Sequence, residues 1–184
     1  GEIMFGLNLV VHKGKTIFVG DTSVHEYPTS EQMADIALSA ARVVRLFGFD
    51  PKVAFVSHST FGQPLTNRTK HIKKAVEILK NKNVDFEFDG DMQPDVALEK
   101  EYQSLYPFSK IVGNANILIM PGQHSAAISY KMMKSLGDSK VIGPLLIGLG
   151  LPIEIAPLRS STSEIINLAS IAAYSADVID YKKN

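Results

Sequence analysis

KVAFVSHSTFGQPLTNRTKHIKKAVEILKNKNVDFEFDG, residues 52–90, contains the alternation that decides the fold. KVAFVSH reads as a strand, TNRTKHIKKAVEILKN as an amphipathic helix, and VDFEFDG as a second strand. A helix between two short strands is the crossover that parallel pairing requires. The same grammar extends to both sides. Upstream, KTIFVGD (15–21) reads as a strand and YPTSEQMADIALSAARVVRLFG (27–48) as a helix. In that helix Met33, Ile36, Ala37, Ala40, Val43, Val44 and Phe47 recur at helical spacing, Thr29 and Gln32 form a capping box, and Gly48 is the stop. Downstream, MQPDVALEKEY (92–102) reads as a shorter helix with Pro94 near its start, and NILIMP (116–121) as a buried strand. SAAISYKMMKSLG (125–137) is a helix closing on Gly137, VIGPLLIGLGLPIEIA (141–156) two short apolar strands, and SEIINLASIAAYSADVI (163–179) the last helix. The expected fold class is α/β, a three-layer sandwich with a largely parallel sheet covered by helices on both faces.

Composition narrows the function. The chain has 184 residues, 45% of them hydrophobic, enough for a real core, and its 19 Lys and Arg balance 19 Asp and Glu. Bulk electrostatics therefore favour neither nucleic acid nor an anionic membrane. With no cysteine there is no disulfide, thiolate metal site or cysteine nucleophile, and the expected location is the cytoplasm. The N-terminal GEIMFGLNLVVHKGK is apolar but lacks a basic leader and is interrupted by His12 and Lys13, so it is not a signal peptide. The longest uncharged stretch, 111–130, contains Asn114, Asn116, Pro121 and Gln123, and is no membrane span.

Ligands of a parallel sheet gather beyond the C-terminal strand ends. Three loops of that kind are rich in hydroxyls: SHSTFGQ (57–63) with Ser57, Ser59 and Thr60, PGQHSAA (121–127) with Gln123, His124 and Ser125, and LRSSTSE (158–164). Two readings stand for the last. Ser161 and Glu164 have the spacing of a capping box, and the free N–H groups of a helix start beside Arg159, Ser160 and Thr162 also suit a phosphate. DFEFDGDMQPD (85–95) carries five acids but lacks the EF-hand register, and is read as a solvated strand end followed by a helix start, so no metal site is expected. GLGLP (148–152) is not a dinucleotide fingerprint, and no Walker A sequence is present.

VGDTSVHEYPTSEQMADIA, FDGDMQPDVAL, ANILIMPGQHSAAISYKMM, VIGPLLIGLGLPIEI and SEIINLASIAAY, taken in order, resemble the phosphate acetyl/butyryltransferase family. They are most similar to the phosphotransacetylase-like domain at the C-terminus of large bacterial malic enzymes. The resemblance implies the second lobe of a phosphotransacetylase-like fold, related to isocitrate and isopropylmalate dehydrogenases. It places that lobe at about 16–157 and a returning C-terminal helix at about 161–177, all within a family region of 1–184 that is a piece of a longer chain. Active members carry Ser-Arg-Gly after the strand and an aspartate at the start of the last helix. Here Glu164 falls at the aspartate and Ser-Arg-Gly is absent, with Arg159 the available arginine.

The resemblance therefore implies a regulatory and oligomerisation segment with no catalytic residue of its own, responsive to acetyl-CoA. An upstream domain would use NAD or NADP and Mg or Mn to convert malate to pyruvate. The ligand site implied is Arg159, Ser160, Ser161, Thr162 and Glu164, with Ser59, Thr60, Gln123 and His124 as its other wall. The alternatives are an active phosphate acetyl- or butyryltransferase, with Glu164 and Arg159 catalytic, and a purely structural assembly module. Ile165, Ile166, Leu168, Ala169, Ile171, Ala172 and Ala173 cover nearly every direction around the last helix, which predicts burial on more than one side and at least a two-fold homodimer.

Overall fold

The computed structural model describes the backbone of residues 2–181 and the side chains through 176; residues 1 and 182–184, the ends of the expected 1–184 region, lie outside the described residues. The strands are β1 (Phe5–His12), β2 (Lys15–Gly20), β3 (Lys52–Val56), β4 (Glu87–Met92), β5 (Ile117–Ile119), β6 (Lys140–Ile147) and β7 (Ile153–Glu154). The helices are α1 (Ser30–Leu46), α2 (Asn67–Asn81), α3 (Pro94–Leu98), α4 (Lys100–Gln103), α5 (Gln123–Leu136) and α6 (Thr162–Tyr181). One seven-stranded sheet runs in the order β4-β3-β5-β2-β1-β6-β7. Pairings β2–β5, β5–β3 and β3–β4 are parallel, whereas β1 is antiparallel to both β2 and β6, and β7 is antiparallel to β6. Five strands consequently point one way, with β1 and β7 reversed.

Helices cover both faces. On one, α1 buries Met33, Ile36, Ala37, Ala40 and Val44 and α2 buries Ile72, Ala75, Val76 and Leu79, against Phe18, Phe55 and Ile117 of the sheet. On the other, Val96 and Ala97 of α3 and Ala126 of α5 pack with Val10, Ala54, Leu118 and Met120. Alternation within each strand makes this possible, since Val53 and Phe55 serve one core while Ala54 and Val56 serve the other.

Local chemistry sets the boundaries. Thr29 caps α1, its hydroxyl accepting from the Gln32 N–H while the Gln32 side chain accepts from the Thr29 N–H. The chain leaves α1 through Gly48 at φ 81°, the left-handed region in which glycine carries no Cβ penalty. Pro94 starts α3, but Glu99 takes an extended conformation, so residues 92–102 form two short helices rather than one. β1 is a further departure. GEIMFGLNLVVHKGK, weighed above only as a leader, contains a strand whose Phe5, Leu7 and Leu9 join the core under α1 while Val10 joins the core on the other face, with β2 and β6 pairing on its two sides. The sheet thus takes in residues that precede position 16.

Candidate functional site

The C-terminal strand ends carry two buried carboxylates that hold the loops in place. Asp21, after β2, is 1% exposed. Its Oδ1 accepts the N–H groups of Gly6, Ser23 and Val24 at 2.9, 2.8 and 3.1 Å, and its Oδ2 lies 2.7 Å from both the His25 N–H and the His25 Nδ1. Asp91, at the end of β4, accepts from the Ser59 hydroxyl and, at 3.0 Å, from the Gly62 N–H. The expectation that 85–95 is a solvated strand end followed by a helix start is therefore corrected at Asp89 and Asp91, while Asp85 is exposed and α3 starts at Pro94. Asp89 and Asp91 are both buried, and Asp89 accepts the N–H of Lys110 at 2.8 Å while the more exposed Glu87 accepts that of Val112 at 2.7 Å. A buried carboxylate persists when donors surround it, and local sequence does not display donors twenty residues away. Among the described residues no group of three or more His, Asp or Glu is placed to hold a metal ion.

The residues expected to form two walls of one site lie apart. Ser59 is fully buried and spends its hydroxyl on Asp91, and Thr60 accepts the N–H of Gln93 at 3.2 Å. Gln123 and His124 begin α5, where the Gln123 N–H donates to the His25 carbonyl and a Cβ on Gly122 would come within 2.4 Å of the Glu26 carbonyl oxygen. Arg159, Ser160, Ser161, Thr162 and Glu164 lie at the start of α6, against the opposite end of α5, since Lys134 pairs with Glu164 at 2.7 Å. From Gln123 to Lys134 is about 16 Å along a helix, and from β3 to β6 is about 19 Å across four strand spacings.

The capping box at Ser161 forms. The Ser161 N–H donates to Glu164 Oε2 at 2.7 Å, the Ser161 hydroxyl to the same oxygen at 3.0 Å, and the Glu164 N–H to the Ser161 hydroxyl at 3.3 Å. The Lys134 ammonium first, and the Ser161 donors next, hold the Glu164 carboxyl at a pKa of about 2. Such a carboxylate stays ionised throughout the neutral range and is a poor acceptor for a thiol proton, because a general base works best with a pKa near the working pH.

Beside this cap is a cavity of about 170 Å³, lined by Asn8, Tyr130, Lys131, Gly143, Ser160 and Glu164 among others, and by none of Ser59, Thr60, Gln123 or His124. Asn8 is 1% exposed; its Oδ1 accepts the Thr22 hydroxyl at 2.6 Å, and its Nδ2 has no partner among the described residues. A buried amide N–H without a partner costs roughly 1–3 kcal/mol, so a ligand acceptor at this wall would recover that loss. Lys131 lines the same cavity, with its ammonium 6.0 Å from the centre of the Tyr130 ring. Of the expected residues, Ser160 and Glu164 reach the cavity, while Arg159 is exposed on the loop next to it. Asn8, Tyr130 and Lys131 were not legible as site residues because β1, α5 and α6 meet only in the fold.

Comparison with known proteins agrees with this architecture. Residues 1–173 match the family model described as phosphate acetyl/butaryl transferase. The NADP-dependent malic enzyme of Rhizobium meliloti is 47% identical over 96% of this chain, which spans 23% of that protein. The phosphate acetyltransferase of Clostridium acetobutylicum is 35% identical over 87% of the chain, which spans 49% of that protein. Among solved structures, the EutD phosphotransacetylase from Staphylococcus aureus superposes with a TM-score of 0.88 at 28% identity, with 95% of this chain and 54% of that one covered. A phosphotransacetylase from Streptococcus pyogenes gives the same TM-score at 32% identity and the same coverage. With a family model matched across nearly its whole length, the chain belongs to the phosphate acetyl/butaryl transferase family.

Proposed function

We propose that this chain is a non-catalytic regulatory and oligomerisation segment of a cytoplasmic malic enzyme, and that acetyl-CoA binds at the start of α6. The observation that carries the reading is Glu164. At the position where the resemblance puts a catalytic aspartate, its carboxylate caps its own helix and pairs with Lys134. The malic-enzyme relatives, of which the chain spans about a quarter or less, support placing the oxidative decarboxylation of malate to pyruvate in an upstream domain. That domain would carry the NAD(P) and the Mg or Mn.

In this reading the cavity beside Asn8 and Lys131, with Ser160 and the exposed Arg159, receives an anionic part of acetyl-CoA, helped by the N–H groups of Thr162 and Ser163 at a helix N-terminus. Ser161 and Glu164 shape the site by fixing the helix start. Ser59, Thr60, Gln123 and His124 take no part in it. A ligand there shifts the enzyme between states only by its different affinity for each. The test titrates acetyl-CoA against malate-dependent NADP reduction by the full-length protein, with and without Arg159→Ala and Lys131→Ala. Loss of inhibition with unchanged basal activity is expected, and unchanged inhibition in both variants would remove the site from the reading.

The second reading, an active phosphate acetyl- or butyryltransferase, is favoured by the phosphotransacetylase structures that superpose on the chain. It requires Glu164 to leave its cap and accept a proton.

A further inference from the structure

A second cavity, of about 210 Å³, lies on the α1 side of the sheet, away from the cap of α6. Its wall combines Val43 and Leu46 of α1 and Phe47 just after it with Leu145 of β6, Leu151 of the following turn, and Glu154 of β7. Apolar side chains predominate on the wall, which also carries Ser39, Ser175 and the ion pair of Arg42 with Glu2. Glu154 Oε2 is closed off from solvent and has no hydrogen-bond partner among the described residues. Burial raises the Glu154 carboxyl to about 7, offset only in part by a backbone hydrogen bond from Leu146. The other titratable groups lining the cavity are Glu2, Arg42 and Tyr174, and each has a partner other than Glu154. Arg42 of α1 pairs with Glu2 at 2.6 Å, and the Tyr174 hydroxyl of α6 donates to the Leu46 carbonyl at 3.1 Å. No cation among the described residues pairs with Glu154.

We propose that this cavity is a binding site for a small aliphatic primary amine, whose ammonium pairs with Glu154 and whose short hydrocarbon chain lies against Val43, Leu46, Phe47 and Leu145. The volume sets the size. It is somewhat larger than a dry cavity of about 150 Å³ that holds benzene and below the roughly 300–1,000 Å³ of drug-sized pockets, so the ligand has a handful of heavy atoms. The charge follows from the orphan oxygen, because an ionised carboxylate taken from water needs a partner that donates and is positive. Apolar walls select the rest of the molecule. The affinity should depend on pH, since the amine stays protonated to about pH 10 while Glu154 ionises near 7. Binding then strengthens about tenfold from pH 6 to pH 8 and releases a proton from Glu154 at the lower pH.

The site does not depend on the acetyl-CoA reading, and its test is separate. Calorimetric titration of the full-length protein with n-butylammonium, n-butanol and butyrate at pH 6 and 8 is the experiment. The wild type should bind n-butylammonium best, more tightly at pH 8. Glu154→Gln should weaken the amine at least tenfold while leaving n-butanol unchanged. Leu151→Trp, which blocks the mouth from an exposed turn, should weaken both. Equal amine affinity in wild type and Glu154→Gln would overturn the proposal, and so would butanol binding as tightly as the amine or no saturable amine binding. If Glu154→Gln does not fold, the pH dependence of the wild type and the Leu151→Trp variant decide the question.

Discussion

Helices α1 and α6 are both long, apolar and closed at the N-terminus by a side-chain capping box, yet their environments differ. The 17 residues of α1 include nine that are buried, and the helix lies in a groove between α2 and the sheet. Of the described side chains of α6 only Leu168 is buried, while Ile165, Ile166 and Tyr174 are 50%, 58% and 50% exposed. Helix identity was local in both cases, set by periodicity and a cap. What each helix packs against was not. An apolar helix face that its own chain leaves uncovered is a surface for another part of the protein or another copy.

The largest expected effects lie on the α1 side. Ile36→Ala opens a cavity under a fully buried side chain and should cost about 2–5 kcal/mol in chemical denaturation, whereas Ile166→Ala on α6 should change stability by no more than about 1 kcal/mol unless a partner covers it. A loss at Ile166 as large as at Ile36 would show that α6 is buried in the assembled protein. Light scattering of the full-length protein across a tenfold dilution sharpens the same point: we expect at least a dimer, weakened by Ile165→Asp and Ile166→Asp together. A monomer at all concentrations would break the comparison.

Next in size is Asp21→Asn. It replaces a carboxylate oxygen facing two His25 donors with an amide N–H, and should cost about 1.5–3 kcal/mol. Glu154 gives a smaller effect with a definite sign. Its folded pKa, about 7, lies above the ordinary value of 4.5, so the folded state holds a proton that the unfolded state has lost. Stability is then greatest below pH 4.5 as far as this group is concerned and falls as pH rises toward and through 7, by about 1 kcal/mol once solvent screening of a half-buried group is allowed for. Glu154→Gln should flatten that part of the pH profile, and an unchanged profile would contradict the cause assigned. Smallest is Thr29→Ala, which removes the α1 cap at a cost of about 1 kcal/mol or less.

Those effects track what the sequence made legible. Met33, Ile36, Ala40 and Val44 announced α1 through a 3.6-residue period, and Ser161 with Glu164 announced a cap that the structure forms. Phe5, Leu7 and Leu9 alternate with Gly6 and Asn8 as a strand does, but only the pairing with β2 and β6 shows where that strand lies. The placement of Lys134 on Glu164, thirty residues apart, and of Asn8 in the same cavity had no local signal at all. The hydroxyls of Ser59 and Thr60 were visible, but their partners lie some thirty residues away, Asp91 in β4 and Gln93 at the start of α3, and only those partners show that Ser59 donates to a carboxylate and Thr60 accepts a backbone N–H.

The central claim is that Glu164 serves as a cap and ion-pair partner rather than a base. The most direct measurement is formation of acetyl-CoA from acetyl phosphate and CoA by the full-length protein, compared with its Glu164→Gln variant. The account predicts no turnover above background in either. Wild-type turnover in the ordinary enzymatic range of about 1–1,000 per second, abolished in Glu164→Gln, would contradict it.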